Sequence, residues 1–199
     1  MRHKIIIASG NAGKLREIRQ IFAPLDAEVI SMKEAGVSAE PDETGKSFAE
    51  NAFIKAEAVR RAVPDGIVIA DDSGLVVDAM GGEPGIYSAR WMGEHTSYDV
   101  KNAEIIKRLE GLEGEARSAR FIAAIACILP DGTRLETEAA MEGRIAYAPA
   151  GQNGFGYDPI LYLPEYGKTS AEIPPEEKNR ISHRGKALRL MFEKLKGVL

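Results

Sequence analysis

Ile67-Val68-Ile69-Ala70-Asp71-Asp72-Ser73-Gly74-Leu75-Val76-Val77 holds two short apolar runs divided by a pair of carboxylates, and the glycine-rich Gly81-Gly82-Glu83-Pro84-Gly85 follows it. Short apolar runs rich in valine and isoleucine, bounded by turn residues, read as buried strands. The first run ends abruptly at Asp71 and Asp72, which places the acids at a strand end. Two carboxylates there are costly if buried without partners. Their placement points to an acidic site mounted on a sheet, with a hard metal ion as the compensating charge.

Outward from that stretch, strands alternate with helices. Ile5-Ile6-Ile7-Ala8 reads as a first strand and Ser9-Gly10-Asn11-Ala12-Gly13 as a turn; Leu15, Ile18, Ile21 and Phe22 then recur at helical spacing until Pro24. Glu28-Val29-Ile30 is a further short strand, and a polar loop from Gly36 to Gly45 leads to a helix beginning near Ser47. Ser47 and Glu50 have capping-box spacing, and Phe48, Ala52 and Val59 share a face. Lys55 lies at the edge of that stripe, from which its stem can carry the ammonium toward a cleft. A third helix, capped by Thr96 or Ser97, runs to Leu109. Phe121 to Leu129 is a strand, Asp131-Gly132 a hairpin turn, and the chain returns through Leu135 to Met141. Pro175-Glu176-Glu177-Lys178 opens a short helix. Arg184 to Lys196 forms the last one, with Leu188, Met191, Phe192 and Leu195 as its apolar stripe. Helical crossovers early and a hairpin later predict a mixed α/β sheet rather than an all-parallel one. No repeat or linker divides the 199 residues, so a single domain over 1–199 is expected.

At 44% hydrophobic and 28% charged, the composition is that of an ordinary folded protein. No apolar run approaches membrane-spanning length, so no membrane association is expected. The start, Met1-Arg2-His3-Lys4, precedes an apolar run too short for a signal peptide. The one cysteine, Cys127, sits within Ile125-Ala126-Cys127-Ile128-Leu129 and reads as a buried, inert thiol; a reducing cytoplasm fits. Lys and Arg number 26 against 30 Asp and Glu, a formal net charge of −4. That balance argues against a broad nucleic-acid surface but leaves room for a small phosphorylated ligand.

Four clusters can carry chemistry. Ser9-Gly10-Asn11-Ala12-Gly13-Lys14 puts glycines, backbone amides and a mobile lysine charge at a helix start, which suits either a phosphate or an ordinary strand-to-helix turn. It is not a Walker loop; Gly45-Lys46-Ser47 imitates the tail of one, but Glu40 occupies the required first glycine position. Glu43 joins Asp71 and Asp72 in a second cluster, read either as ligands of a divalent ion or as a helix cap beside a surface acid. His3, His95 and His183 show no zinc spacing. In Gly151-Gln152-Asn153-Gly154-Phe155-Gly156-Tyr157-Asp158-Pro159, Phe155 stands between glycines, its ring able to stack on a flat ligand or to cover the core. Asp158 is placed to accept hydrogen bonds from ring N–H groups. Ser182-His183-Arg184-Gly185 begins the last helix, with Ser182 as a cap and His183 and Arg184 as donors to phosphate, sugar or base. Ser73 lacks a Gly-x-Ser-x-Gly elbow, which argues against covalent serine catalysis.

Ser9 through Lys14, Glu43-Thr44-Gly45 through Glu50-Asn51-Ala52, Asp71 through Leu75, Gly81 through Arg90, Phe155 through Pro159 and Ser182 through Ala187 follow one another along nearly the whole chain. In that order the chain resembles the Ham1/RdgB-like noncanonical purine nucleoside triphosphate pyrophosphatases, also called inosine triphosphate pyrophosphatases. Ser9 stands where that family commonly has threonine and keeps the hydroxyl. The resemblance implies Mg²⁺-dependent cleavage of dITP, ITP or XTP between the α and β phosphates, giving the monophosphate and pyrophosphate. It also implies an elongated mixed sheet with flanking helices forming two lobes around a nucleotide cleft, and a homodimer with no stable nucleic-acid partner. Carried onto this sequence, Asp72 is the proton acceptor and a metal ligand. Glu43 is its metal partner, with Asp42 and Asp71 as further candidates. Ser9, Gly10, Asn11, Ala12, Gly13, Lys14, Lys55 and Ser73 line the phosphate region. Phe155, Gly156, Tyr157, Asp158, Lys178, His183 and Arg184 match nucleotide-recognition positions.

Overall fold

Side-chain alternation along three long strands organises the fold, which a computed structural model describes for residues 3–198. The strands are β1 (His3–Ile7), β2 (Ala27–Ser31), β3 (Ile67–Val77), β4 (Ser118–Ile128), β5 (Arg134–Ile145), β6 (Leu161–Leu163) and β7 (Lys168–Thr169). The helices are α1 (Ala12–Phe22), α2 (Phe48–Arg60), α3 (Tyr98–Arg108), α4 (Pro175–Ile181) and α5 (His183–Lys196). Strand order is β2-β1-β3-β4-β5-β6-β7. β1 pairs in parallel with β2 and β3, whereas β5–β6 and β6–β7 are antiparallel, so the sheet is mixed as expected.

Two sequence expectations change. β3 does not stop at the acids but continues through Asp71-Asp72-Ser73-Gly74 to Val77. Paired charges looked like a strand end because carboxylates are expensive inside a sheet; here cations on neighbouring helices neutralise them. β5 likewise runs unbroken through Gly143, where a β-carbon would meet the Tyr162 carbonyl oxygen at 2.5 Å. Glycine there permits the close approach of β6.

The chain forms two compact units. The first comprises the residues up to Asp72, Ala123–Ala139 and the segment from Arg184 onward. Its strands bury both faces. Ile5, Ile7, Ile67, Ile69, Ala123, Ile125 and Cys127 pack with Ile18 and Phe22 of α1 and with Leu188, Met191 and Leu195 of α5. Ile6, Val68, Ala70, Ala126 and Ile128 pack with Ala52, Ala56 and Val59 of α2. Odd and even positions of β3 thus face different helices. The second unit, Ser73–Ile122 with Ala140–His183, has its own core of Leu75, Val77, Ile105, Phe121, Met141, Ile145 and Ile160, among others. Arg117 is buried there with its guanidinium donating to the carbonyls of Leu109, Leu112, Ile145 and Ala146, which satisfies a charge that would otherwise be costly.

Local signals account for the helix starts. Asn11 caps α1, Ser47 caps α2 and Ser97, not Thr96, caps α3. Glu50 completes only part of the expected capping box: its carboxylate accepts from Lys46 N at 2.6 Å, one residue before the cap. No helix among the described residues is long and apolar enough to cross a membrane.

Cys127 is fully buried on β4, and burial pushes its thiol up to about 12. At pH 8 the thiolate fraction of the folded protein is therefore about one in ten thousand. Iodoacetamide should label Cys127 only after denaturation, as read by intact mass; rapid labelling of the native protein would contradict the packing.

Candidate active site

Because successive side chains of a strand point to opposite faces, Asp71 and Asp72 separate although they are adjacent. Asp71 continues the odd-numbered row toward α1 and α5. It accepts an ion-paired hydrogen bond from Lys14 Nζ, and its Oδ2 accepts from Arg184 Nε at 2.8 Å. Arg184 also donates to Glu17 at 3.2 Å. Burial by itself would raise the Asp71 carboxyl, but Arg184 and Lys14 outweigh it and hold the group far below the usual range. Burial, only partly offset by Asp71, lowers Lys14. Lys14 is therefore not the mobile charge expected from sequence, and Arg184, expected as a donor to phosphate, sugar or base, donates here to the carboxylates of Asp71 and Glu17.

Asp72 continues the even-numbered row toward α2. Its Oδ1 accepts from Lys55 Nζ at 2.6 Å, and the same ammonium lies 3.1 Å from Glu43 Oε1. Asp72 Oδ2 is buried with no hydrogen-bond partner. Burial raises the Asp72 carboxyl, with Lys55 opposing and Glu43 reinforcing. Asp72 is thus the more basic member of the pair. The loop bearing Glu43 is fastened to α2: Gly45 N donates to Asn51 Oδ1 at 2.8 Å, and a β-carbon at Gly45 would meet Glu50 Cβ at 2.8 Å. Asn51 and Lys55 stand four residues apart, so the helix face that anchors the loop also carries the lysine.

Among the described residues no group of three or more His, Cys, Asp or Glu side chains is arranged to hold a metal. Two carboxylates beside one another suit a hard divalent ion whose remaining ligands are water and phosphate oxygens. The orphaned Asp72 Oδ2, with Glu43 reaching the same ammonium, meets that requirement. Asp71 has its charge engaged elsewhere.

The first loop offers fewer amides than its sequence suggests. Asn11 Oδ1 accepts from Gly13 N at 2.9 Å and Lys14 N at 3.1 Å, and Ser9 Oγ accepts from Asn11 N at 3.1 Å. Three amides expected to face an anion are engaged by the loop's own side chains. Ser73 follows Asp72 in β3.

The second unit gathers the aromatic cluster. Phe155 is 50% exposed, so it does not serve to cover the core. Tyr157 is buried, donates to Ser88 O at 2.7 Å and meets Tyr98 edge-on at 5.1 Å between centroids. Gly156 O accepts from Asn102 Nδ2 at 3.2 Å. Asp158, expected to receive ring N–H groups, is buried and engaged by Ser170, Phe155 N and Lys178. Lys178 Nζ lies 5.9 Å from the Phe155 ring centroid. His183 is buried and stacks on Phe121 at 5.0 Å. Glu17 and Ser170 escaped the sequence reading. Glu17 lies three residues beyond Lys14 on α1, a spacing that could have flagged it; Ser170 has no local signal.

Comparison with known proteins bears on this arrangement. Residues 5–194 match the Ham1 family. The dITP/XTP pyrophosphatase of Geobacillus kaustophilus is 51% identical over 191 residues, covering 96% of this chain and 93% of that protein. The solved Staphylococcus aureus Ham1 protein superposes with a TM-score of 0.89 at 41% identity, covering 98% of this chain and all of that one (100%). A HAM1 protein from Coxiella burnetii gives a TM-score of 0.90 at 37% identity, covering 98% and 99%.

Asp71→Asn should destabilise the fold by about 3–5 kcal/mol at neutral pH, because buried Arg184 and partly buried Lys14 lose their anion. The folded-state pKa of Asp71 is depressed, so its stabilisation is complete above the ordinary value of 3.8 and is lost as pH falls below it. Urea unfolding at pH 7 and pH 3 should show the gap between wild type and variant narrowing in acid. An equal gap at both would remove Asp71 from its role as an ionised strut.

Proposed function

This chain belongs to the Ham1 family, and on that premise we propose that it is a Mg²⁺-dependent hydrolase of dITP, ITP and XTP. It cleaves between the α and β phosphates and releases the nucleoside monophosphate and pyrophosphate, clearing these nucleotides from the pool. The carrying observation is Asp72: a buried, raised carboxyl with one oxygen on Lys55 and the other unpartnered. Such a group is suited to accept a proton from water, whereas Asp71 is saturated by cations.

Glu43 and Asp72 would hold the ion, which when bound neutralises phosphate oxygens and lowers the pKa of coordinated water. Asp72 Oδ2 orients the attacking water and takes its proton. Lys55 fixes the Asp72 carboxylate through Oδ1, leaving Oδ2 for this work. Lys14 and Lys55 contribute positive potential toward the polyphosphate, which favours the charge that builds on the leaving pyrophosphate. Ser9 through Lys14 and Ser73 border this phosphate region. No covalent nucleophile is needed, since positioning and electrostatics carry the reaction.

In this reading Phe155 and Lys178 govern base choice. Phe155 supplies a stacking face for any purine. Lys178 beside it is a donor without acceptor capacity, so it favours a 6-keto oxygen and opposes the amino group of adenine. A buried mismatch of this kind costs about 1–3 kcal/mol, roughly ten- to hundredfold in discrimination. GTP carries the same 6-keto group, so Lys178 does not discriminate against it. A cytoplasmic homodimer acting on free nucleotides completes the reading.

Incubation with ITP and Mg²⁺ should yield IMP and pyrophosphate by chromatography; IDP and orthophosphate as first products would overturn the assigned bond. Asp72→Asn should lower kcat by about a hundredfold or more while the protein still folds. A variant with near-wild-type kcat would leave Asp72 without its catalytic role.

A further inference from the structure

We propose that Ser170 is a positioning residue for base recognition, acting through Asp158 to fix Phe155 and Lys178. Asp158 is then an internal strut rather than a group that touches the base. The proposal deepens, and rests on, the reading that Phe155 and Lys178 engage the nucleotide base.

Both oxygens of Asp158 are engaged inside the second unit. Oδ1 accepts from Ser170 Oγ at 2.8 Å, and Oδ2 accepts from Phe155 N at 2.8 Å and from Lys178 Nζ. Asp158 is 3% exposed and Ser170 fully buried, so neither reaches a ligand from solvent. A carboxylate is two-fold symmetric about its final torsion, and nothing intrinsic decides which oxygen faces which partner. Ser170 breaks that symmetry: one oxygen takes the hydroxyl and the other turns to Phe155 N and the ammonium. One bond thereby sets both the backbone under the stacking ring and the position of the donor beside it.

Ser170 is itself held firmly. It opens a 3₁₀ turn, Ser170–Glu172, closed by a capping box in which Thr169 N donates to Glu172 at 2.8 Å. Thr169 Oγ1 also donates to Ala150 O at 2.8 Å. From the opposing loop, Asn153 N donates to Ala171 O at 2.9 Å and Asn153 Nδ2 to Ile173 O at 3.2 Å. The 150–158 loop is therefore strapped along its length to 169–173. Gly154, at φ +78°, leaves room for the junction; a β-carbon there would meet Lys178 Nζ at 2.6 Å. The result is an exposed ring on an immobilised backbone, an arrangement that limits ordering cost when a flat ligand stacks.

The test compares wild type with Ser170→Ala on ITP, ATP and ribose 5-triphosphate, which lacks a base. Ser170→Ala should raise KM for ITP about tenfold with kcat within about twofold, and lower the ITP-to-ATP ratio of kcat/KM about tenfold. Hydrolysis of ribose 5-triphosphate should be unchanged, a result that a general loss of structure would not give. Unchanged KM and unchanged ITP-to-ATP ratio would overturn the proposal, as would an equal loss on ribose 5-triphosphate. If Ser170→Ala fails to melt cooperatively, Ser170→Cys, of similar size and only a weak donor, carries the same test with the same expected pattern. Wild type cleaving ribose 5-triphosphate as efficiently as ITP would instead overturn the base-recognition reading beneath the proposal.

Discussion

The alternation of side chains along β3 sends two sequence-adjacent carboxylates to opposite faces of one strand, and most of the first unit answers to that separation. Asp71 faces the apolar row that packs α1 and α5, so a buried anion arrives where Ile67 and Ile69 would otherwise be followed by another apolar residue. Its charge is tolerable only because α1 brings Lys14 and α5 brings Arg184 to it. These two helices come from opposite ends of the chain. The ion-pair cluster therefore fixes their attachment to the strand as well as neutralising Asp71, since unpaired burial of any of the three charges costs more than their mutual attraction is worth in water.

On the other face the same strand presents Asp72 to a single lysine, and the balance is deliberately incomplete. Lys55 meets one oxygen and leaves the other bare. Glu43 shares the lysine, which adds negative charge beside Asp72 and raises its basicity. Gly45 and Asn51 hold the Glu43 loop down on α2. Rigid elements thus support a locally unsatisfied centre, the arrangement expected where chemistry rather than stability has set the residues.

Much of this was legible in the sequence, and the failures have physical causes. Apolar spacing located four of the five helices, Pro175 and the acids after it marked the start of α4, and side-chain caps at Asn11, Ser47 and Ser97 sit where short polar residues precede helical runs. Asp71-Asp72 announced the site, yet was misplaced to a strand end because the sequence does not show the cations that make a mid-strand acid tolerable. Lys14 and Arg184 looked like free donors for the same reason: their partner lies more than fifty positions away in each case, at separations of 57 and 113 residues. Ser170 lies 12 residues from Asp158 and carries no motif, so only tertiary placement reveals it.

The buried aspartates among the described residues are Asp71, Asp72 and Asp158, and the contrast between them separates support from chemistry more sharply than burial or charge does. Asp71 is bound to two cations, and Asp158 to a hydroxyl, an amide and an ammonium. Each has its acceptor capacity engaged by the protein, so each transmits position: one to helices, the other to an aromatic ring and a lysine. Asp72 alone keeps a buried oxygen without a donor. An unsatisfied acceptor in a low-dielectric setting gains most from a water or a cation placed against it. The same physics that makes an unmet acceptor costly in the folded chain makes it selective for a hydrogen-bond donor or a cation.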